Sequence, residues 1–288
     1  MNKKNNGGLV SALSAYMIWG LLPIYWKVLH SVPSAELLAW RVAGAAFIAW
    51  AFILLRGRKP VPLTKVLFLR VLAAALLIGF NWGIYLWAIE FEHMVEASLG
   101  YYINPLLNVL LGMIFFSEKL GKTRLAALLL AAVGVLIMTF QNGVFPWLSF
   151  ALALSFGLYG LVTKKFPPEM DSIEALAREM TLLGPPAVLY LIFLGSRGAS
   201  HLSGYGQNVT VLLILAGSVT LLPLWLFGRG AKRLPLGVLG FLQYIAPTLM
   251  LLLGTLVYGE PFGWGKAAAF AFILTALALY SSTIKNNT

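Results

Sequence analysis

The stretch from Leu99 to Glu118 occurs twice in this chain. A shift of 142 residues lays Tyr102-Ile103-Asn104-Pro105 on Tyr244-Ile245-Ala246-Pro247, Gly112 on Gly254 and Glu118 on Glu260. A repeat that keeps proline, glycine and glutamate in register constrains the fold strongly, because both copies must build the same substructure. Each copy is an apolar run long enough to cross a bilayer. Each also carries polar residues inside the run: Tyr101, Asn104 and Asn108 in the first, Gln243, Tyr244 and Thr248 in the second.

Ten such apolar runs can be marked, roughly 8–28, 35–55, 67–90, 95–116, 123–140, 145–163, 174–195, 209–228, 235–258 and 264–284. With 60% hydrophobic and 11% charged residues, the chain has too few polar groups to cover a soluble surface. The runs are apolar all round rather than alternating, which excludes barrel strands. The expected fold class is therefore an all-α integral membrane protein of ten transmembrane helices. The net charge of +11 does not point to nucleic acid, because the basic residues sit in short breaks between runs rather than in an aromatic-interleaved patch. The chain has no cysteine, so disulfides and thiolate metal sites are excluded. The first run continues straight into the body of the protein and reads as a span, not a cleavable leader.

Lysine and arginine fix an orientation. Lys3 and Lys4 precede the first run, and Arg56, Arg58, Lys59, Lys65, Lys119, Lys122, Arg124, Lys164, Lys165, Arg229, Lys232 and Arg233 fall around the even-numbered breaks. The odd breaks hold only Lys27, Arg197 and Lys266. Both termini are thus expected in the cytoplasm, with the chain a multi-pass protein of the cytoplasmic (inner) membrane. Each repeat unit has five spans. Five is odd, so the second copy enters from the opposite side, giving two inverted repeats over 8–140 and 145–284. Trp19-Gly20 matches Tyr159-Gly160, and Arg41 matches Arg178.

Several residues are candidates for chemistry. Tyr101, Asn104, Asn108 and Gly112 share one face of the fourth span. An asparagine facing hydrocarbon is costly, so this face meets either a watery cavity or a neighbouring helix. Gln243, Tyr244 and Thr248 form the matching cluster on the ninth. Pro105 and Pro247 predict kinked helices, and in inverted repeats the substrate site lies near the midplane between the copies. The third span offers Asn81, Trp82 and Tyr85 beside a Gly79-x-x-x-Gly83 packing stripe, with Trp225 as a counterpart in the eighth. Trp19 and Tyr159 complete the substrate-facing set. Met250 adds an adaptable apolar surface. Trp26 and Trp264 read as interface anchors.

Arg41 lies inside the second span. Its partner is expected from another helix, with Glu90 and Glu96 as candidates, and snorkelling to headgroups is the alternative. Arg178 has Glu174 one turn before it and reads as a local ion pair. Glu118 and Glu260 are expected to bond a neighbouring loop or helix start. Lys27 and Lys164 are anchors or reach the cavity mouth. Glu90, Glu92, His93 and Glu96 hold one histidine and make a poor metal site, so neither metal nor cofactor is expected.

Glu96-Ala-Ser-Leu-Gly-Tyr-Tyr-Ile-Asn-Pro-Leu106 and Leu239-Gly-Phe-Leu-Gln-Tyr-Ile-Ala-Pro-Thr-Leu-Met250 resemble the EamA type of the drug/metabolite transporter superfamily, and within it the RarD-like subfamily. Trp19-Gly20, Pro23-Ile-Tyr25-Trp-Lys27 and Tyr159-Gly160-Leu-Val-Thr-Lys164-Lys165 add to the resemblance, which runs from about Gly8 to Tyr280. It implies two inverted five-helix repeats, a central cavity and alternating access. The subfamily is associated by name with chloramphenicol sensitivity, and neighbouring families export amino acids or other small metabolites.

The expected function is a secondary transporter moving a small amphipathic solute, such as an amino acid or drug-like metabolite. Its partners are the solute, the lipid bilayer, and a coupling proton or counter-substrate. The oligomeric state is left open. A membrane-embedded enzyme or a channel is the alternative. No phosphate-binding loop, Gly-x-Ser-x-Gly elbow or His-Glu-x-x-His motif occurs.

Overall fold

A computed structural model describes residues 3–29, 31–57, 59–90, 94–142, 147–198, 206–259 and 263–285. The described residues are almost wholly helical: α1 (Lys3–Val28), α2 (Ser34–Leu55), α3 (Lys65–Glu90), α4 (Met94–Phe116), α5 (Lys122–Asn142), α6 (Trp147–Lys164), α7 (Ser172–Ser196), α8 (Gln207–Ala231), α9 (Leu236–Gln243), α10 (Ile245–Leu252) with a π-helical turn at Leu253–Val257, and α11 (Trp264–Lys285). Seven stretches are long and apolar enough to cross a membrane, and Gly100–Phe116 and Ala267–Tyr280 are shorter apolar helices. Many large apolar side chains face outward, among them Phe47 at 76% and Leu256 at 78% exposure, which suits lipid and not water. The chain is a multi-pass membrane protein.

The ninth apolar run differs from a single span. Pro247 has no N–H to give the Gln243 carbonyl, and its ring crowds that carbonyl, so the helix breaks at Tyr244. The Tyr244 N–H turns to the Phe241 carbonyl at 3.3 Å, and the Thr248 N–H resumes on Tyr244 at 3.1 Å. In α4, by contrast, the helix continues through Pro105.

The helices neighbour one another in a cross-linked pattern. α1 lies against α8 and α10, α3 against α6 and α7, α2 against α7 and α8, α4 against α6 and α9, and α5 against α11. The first half of the chain therefore packs chiefly on the second. Three close approaches set this packing. At the α2–α8 crossing, a Cβ on Gly217 would lie 2.4 Å from the Gly44 carbonyl carbon. At the α4–α9 crossing, a Cβ on Gly240 would lie 2.6 Å from the Pro105 carbonyl oxygen. At the α5–α11 crossing, a Cβ on Gly134 would lie 2.8 Å from the Ala269 carbonyl oxygen. Small residues let backbones meet where lipid supplies no hydrophobic drive between helices. The predicted Gly79-Gly83 stripe is used only in part: Gly79 meets Leu183, whereas Gly83 faces open space.

One end of α9 is built by a distant residue. Pro235 gives it no side-chain cap. Instead the Glu118 carboxylate accepts from the Leu236 N–H at 2.8 Å and the Gly237 N–H at 2.9 Å, satisfying two orphan donors at the positive end of the helix. Ser117, at φ 51°, turns the chain after α4 so that the Glu118 N–H reaches the Gly112 carbonyl at 3.2 Å. A Cβ on Gly112 would sit 2.7 Å from the Glu118 carboxylate, so glycine makes room for the cap. Lys164 joins it, 3.4 Å from Glu118 Oε1 and 2.9 Å from the Leu234 carbonyl. The expectation that Glu118 bonds a helix start thus takes this form. Its repeat partner Glu260 lies outside the described residues.

Gly217→Ala forces α2 and α8 apart and should destabilise the protein by about 1–3 kcal/mol. Gly83→Ala, with nothing within 4 Å of its new methyl, should not. Thermal melts of the two variants in detergent check the contrast: a lower midpoint is expected for Gly217→Ala and an unchanged or slightly higher one for Gly83→Ala.

Candidate functional site

A cavity of about 450 Å³ lies between α1, α2, α3, α4, α6, α8, α9 and α10, within the size range of small-molecule sites. Its depth follows α1 from Tyr16 to Lys27, about 16 Å at ~1.5 Å per residue. Tyr16 at one end is fully buried and Lys27 at the other is exposed, so the mouth is at the Lys27 end, where Ser34 and Leu37 of α2 also line it. Its floor is a layer of rings. Tyr16, Trp19 and Phe156 line it, and Phe227 packs behind them, 5.7 Å from Trp19, 5.4 Å from Phe156 and 6.3 Å from Tyr159 on its far side, centroid to centroid.

Arg41 projects into this cavity from α2. Its Nε donates to Thr220 Oγ1 at 3.0 Å, and its guanidinium carbon lies 4.8 Å from the Trp26 ring and 5.2 Å from the Trp82 ring. Arg41 and Gly44 are one turn apart on α2, as Gly217 and Thr220 are on α8. The tight crossing therefore brings guanidinium and hydroxyl within reach. Two aromatic faces stabilise the cation by their quadrupoles. No carboxylate among the described residues is within ion-pair distance of it. Its partners are thus Thr220, Trp26 and Trp82. The side chains of Glu90 and Glu96, the carboxylates expected from sequence, lie outside the described residues.

The structure brings together Trp19, Asn81, Tyr85, Tyr101, Asn104 and Gln243 on the cavity wall, with Arg41 and Pro247. Tyr85 and Tyr101 meet edge to face at 6.3 Å. Asn81 spends its amide donors on α6, giving to the Leu152 carbonyl at 2.8 Å and Ser155 Oγ at 3.0 Å. Asn104 is 4% exposed, and its Oδ1 has no partner among the described residues.

The other candidates stand elsewhere. Asn108 is buried and donates to Gln243 Oε1 at 2.7 Å, which joins α4 to α9. Pro105 offers its carbonyl to the Gly240 approach at the same crossing. Tyr244 is buried beside Phe241, and Thr248 bonds back to the Tyr244 carbonyl at 2.7 Å. Trp225 lies under Arg229, 5.0 Å from ring to guanidinium carbon. Tyr159 lies below the floor and donates to Glu179 Oε2 at 3.1 Å.

Some residues differ from their expected roles. Trp26 and Lys27 line the cavity, and Lys27 Nζ sits 3.4 Å from the Tyr258 ring centroid. Arg178 pairs with Glu174 at 2.7 Å as the spacing predicts, and the pair also grips Val61: Glu174 Oε1 accepts its N–H at 2.8 Å, and Arg178 donates to its carbonyl. Among the described residues no group of three or more His, Cys, Asp or Glu side chains is placed to hold a metal ion. The Glu90–Glu96 cluster lies outside what is described. Thr220, Leu224 and Phe156 were not singled out from sequence. Only Thr220 carried a signal, as a hydroxyl inside an apolar run.

Comparison with known proteins agrees with this architecture. The chain matches the EamA-like transporter family twice, over residues 6–140 and 146–282. It is 45% identical over 284 residues to an uncharacterized transporter of Vibrio cholerae, covering 95% of this chain and 91% of that one. It is 41% identical over 287 residues to protein RarD of Escherichia coli, covering 96% and 95%. A solved crystal structure superposes with a TM-score of 0.74 at 20% identity, covering 94% of this chain and 97% of that one, and it shares the fold. The chain is a membrane transporter of the EamA-like family, a RarD-like member of the drug/metabolite transporter superfamily.

Proposed function

We propose that this chain is a secondary transporter that moves a small solute with an anionic group and a planar apolar body across the cytoplasmic membrane by alternating access. The observation that carries this reading is Arg41: a cation inside a membrane cavity, flanked by aromatic faces, with no carboxylate partner among the described residues. An intramembrane charge is costly unless a ligand or water compensates it. A carboxylate bound bidentately by the guanidinium edge would supply the compensation. Trp19, Trp82, Tyr85 and Tyr101 offer apolar faces with polar edges for the rest of the solute, and Asn104, whose buried Oδ1 has no partner among the described residues, would accept from a donor such as an amine once its side chain turns toward the solute. A zwitterionic aromatic amino acid meets all three demands.

The same reading takes the chain as two inverted five-helix repeats, 8–140 and 145–284, with ten spans in all and both termini cytoplasmic. The family match occurs once in each half. The neighbour pattern exchanges the halves: α1 on α8 answers α6 on α3, and α4 on α6 answers α9 and α10 on α1. In this arrangement the cavity mouth faces outward. The opposite end is closed by the ring layer, by Lys164 on Glu118 and by the capped start of α9. Rocking one half on the other would open that end and close the mouth.

Three outcomes follow. Phenylalanine or tryptophan should raise the melting midpoint of purified protein more than its amide does. Arg41→Gln should weaken that binding roughly tenfold to a hundredfold, the worth of a charged hydrogen bond, while the unliganded midpoint stays close to the original. Equal stabilisation by acid and amide would refute the anionic assignment.

The two asparagines should separate. Asn104→Ala should lose ligand-induced stabilisation at little cost to the fold, whereas Asn108→Ala leaves Gln243 unpaired and should destabilise by about 1–3 kcal/mol. Ligand titrations and unliganded melts distinguish the two.

The orientation is tested in the cysteine-free natural sequence. Arg197→Cys should react with impermeant thiol reagents added to whole cells, and Lys122→Cys should react only after lysis. The reverse pattern would overturn the topology.

A further inference from the structure

Beneath the cavity floor lies a second, much smaller chamber, of about 10 Å³, the room of about one water molecule. Tyr159 and Thr163 of α6, Ser172, Leu176 and Glu179 of α7, and Lys232 after α8 line it. Leu224 lines both the chamber and the cavity above, so little more than one side chain and the ring layer separate them.

Glu179 is fully buried, at 0% exposure. Its Oε2 accepts the Tyr159 O–H at 3.1 Å, and its Oε1 has no partner among the described residues. The charges nearby are committed elsewhere. Arg178 turns to Glu174 and the Val61 carbonyl. Lys232 gives its ammonium to the Pro167 and Met170 carbonyls at the chamber's edge. Of the titratable groups of α6, Tyr159 lines the chamber, whereas Lys164 turns to Glu118 and the Leu234 carbonyl. Glu36 and Arg41 of α2, Lys65 and Arg70 of α3, and Arg229 of α8 do not line the chamber. One phenolic hydrogen bond does not compensate a buried carboxylate, whereas the protonated acid carries no charge to desolvate.

We propose that Glu179 is the proton-coupling residue of this transporter: it holds a proton while the cavity is open at the Lys27 end and releases it when the chamber opens at the other end. The proposal rests on the alternating-access reading above. On opening, water enters between α6, α7 and α8, the O–H bond on Oε1 breaks, its electron pair stays on the carboxylate and the proton passes to cytoplasmic water. Tyr159 keeps its hydrogen bond to Oε2, and the entering water solvates the new anion. By reciprocity, proton binding at Glu179 favours the conformer described here, and rising pH favours the other.

Single cysteines in the natural sequence read this directly. Met250→Cys reports on the cavity and Thr163→Cys on the chamber. Labelling by a small maleimide is compared between Glu179 and Glu179→Gln backgrounds at each pH, which cancels thiol ionisation. With Glu179 present, chamber labelling should rise about tenfold relative to the Gln background from about pH 6 to about pH 8.5, while cavity labelling falls. Glu179→Gln, a permanent mimic of the protonated acid, should leave the chamber closed and the cavity open throughout.

Identical pH responses in both backgrounds would overturn the proton assignment and leave alternating access standing. A chamber cysteine that never reacts at any pH in either background, with the cavity cysteine always reactive, would overturn alternating access itself. Should Glu179→Gln fold poorly, Tyr159→Phe replaces it. Loss of the donor to the carboxylate favours the protonated acid and should move the labelling midpoint up by about one pH unit. An unmoved midpoint in well-folded Tyr159→Phe would refute the role.

Discussion

The crossing of α4 with α9 ties the two halves of the molecule together, and its parts explain one another. Gly240 lets α9 approach the Pro105 carbonyl, Asn108 then reaches Gln243, and Glu118 at the end of α4 caps the start of α9. A bilayer interior offers no water to a stray amide or carbonyl, so a helix that begins without its own cap must borrow one. α9 borrows it from a residue 118 positions earlier in the chain. On the proposed cycle, the same bonds close the end opposite the cavity mouth, so the contact that joins the halves also sets which end is open.

The repeat pointed to Glu118 as bonding a neighbouring loop or helix start, though not to which helix. Proline, glycine and glutamate held in register implied a shared device, and the geometry supplies its reason: Gly112 clears space for the carboxylate and Glu118 completes the turn after α4. Helix limits outside the ninth run, and the Glu174–Arg178 pair, were readable because both depend on neighbours within a turn or two. Periodicity also identified Tyr101 and Asn104 as polar positions in a costly place, and both face the cavity.

What was not legible depends on which helix faces which. Asn104 and Asn108 share a face by spacing, yet one borders open space and the other meets Gln243, because α9 crosses between them. Trp26 had the position of an interface anchor but lies over Arg41, since the α2–α8 approach at Gly44 and Gly217 draws α2 toward it. No local pattern marks that glycine pair, whose members sit in separate apolar runs. Glu179 was hidden differently. Its neighbour Arg178 had a visible partner one turn away, which made the segment read as locally neutralised, although the two side chains point to different surroundings.

The repeat's departures from symmetry follow from this division of labour. Trp19 and Tyr159 occupy matching positions, and both touch the Phe227 ring, one on the cavity wall and the other beneath the floor. Arg41 and Arg178 also match, but the first is left to aromatic faces and a hydroxyl while the second is consumed by Glu174 and Val61. The uncommitted charge on the cavity side is thus a cation and that on the chamber side an acid. On the proposed cycle each is stable only when its own compartment is wetted or filled: solute or water for the guanidinium, water for the carboxylate. On that cycle the two demands are met in alternation. Two repeats built to one plan can therefore answer to different ligands, provided they differ at the few positions where a charge is left without a partner.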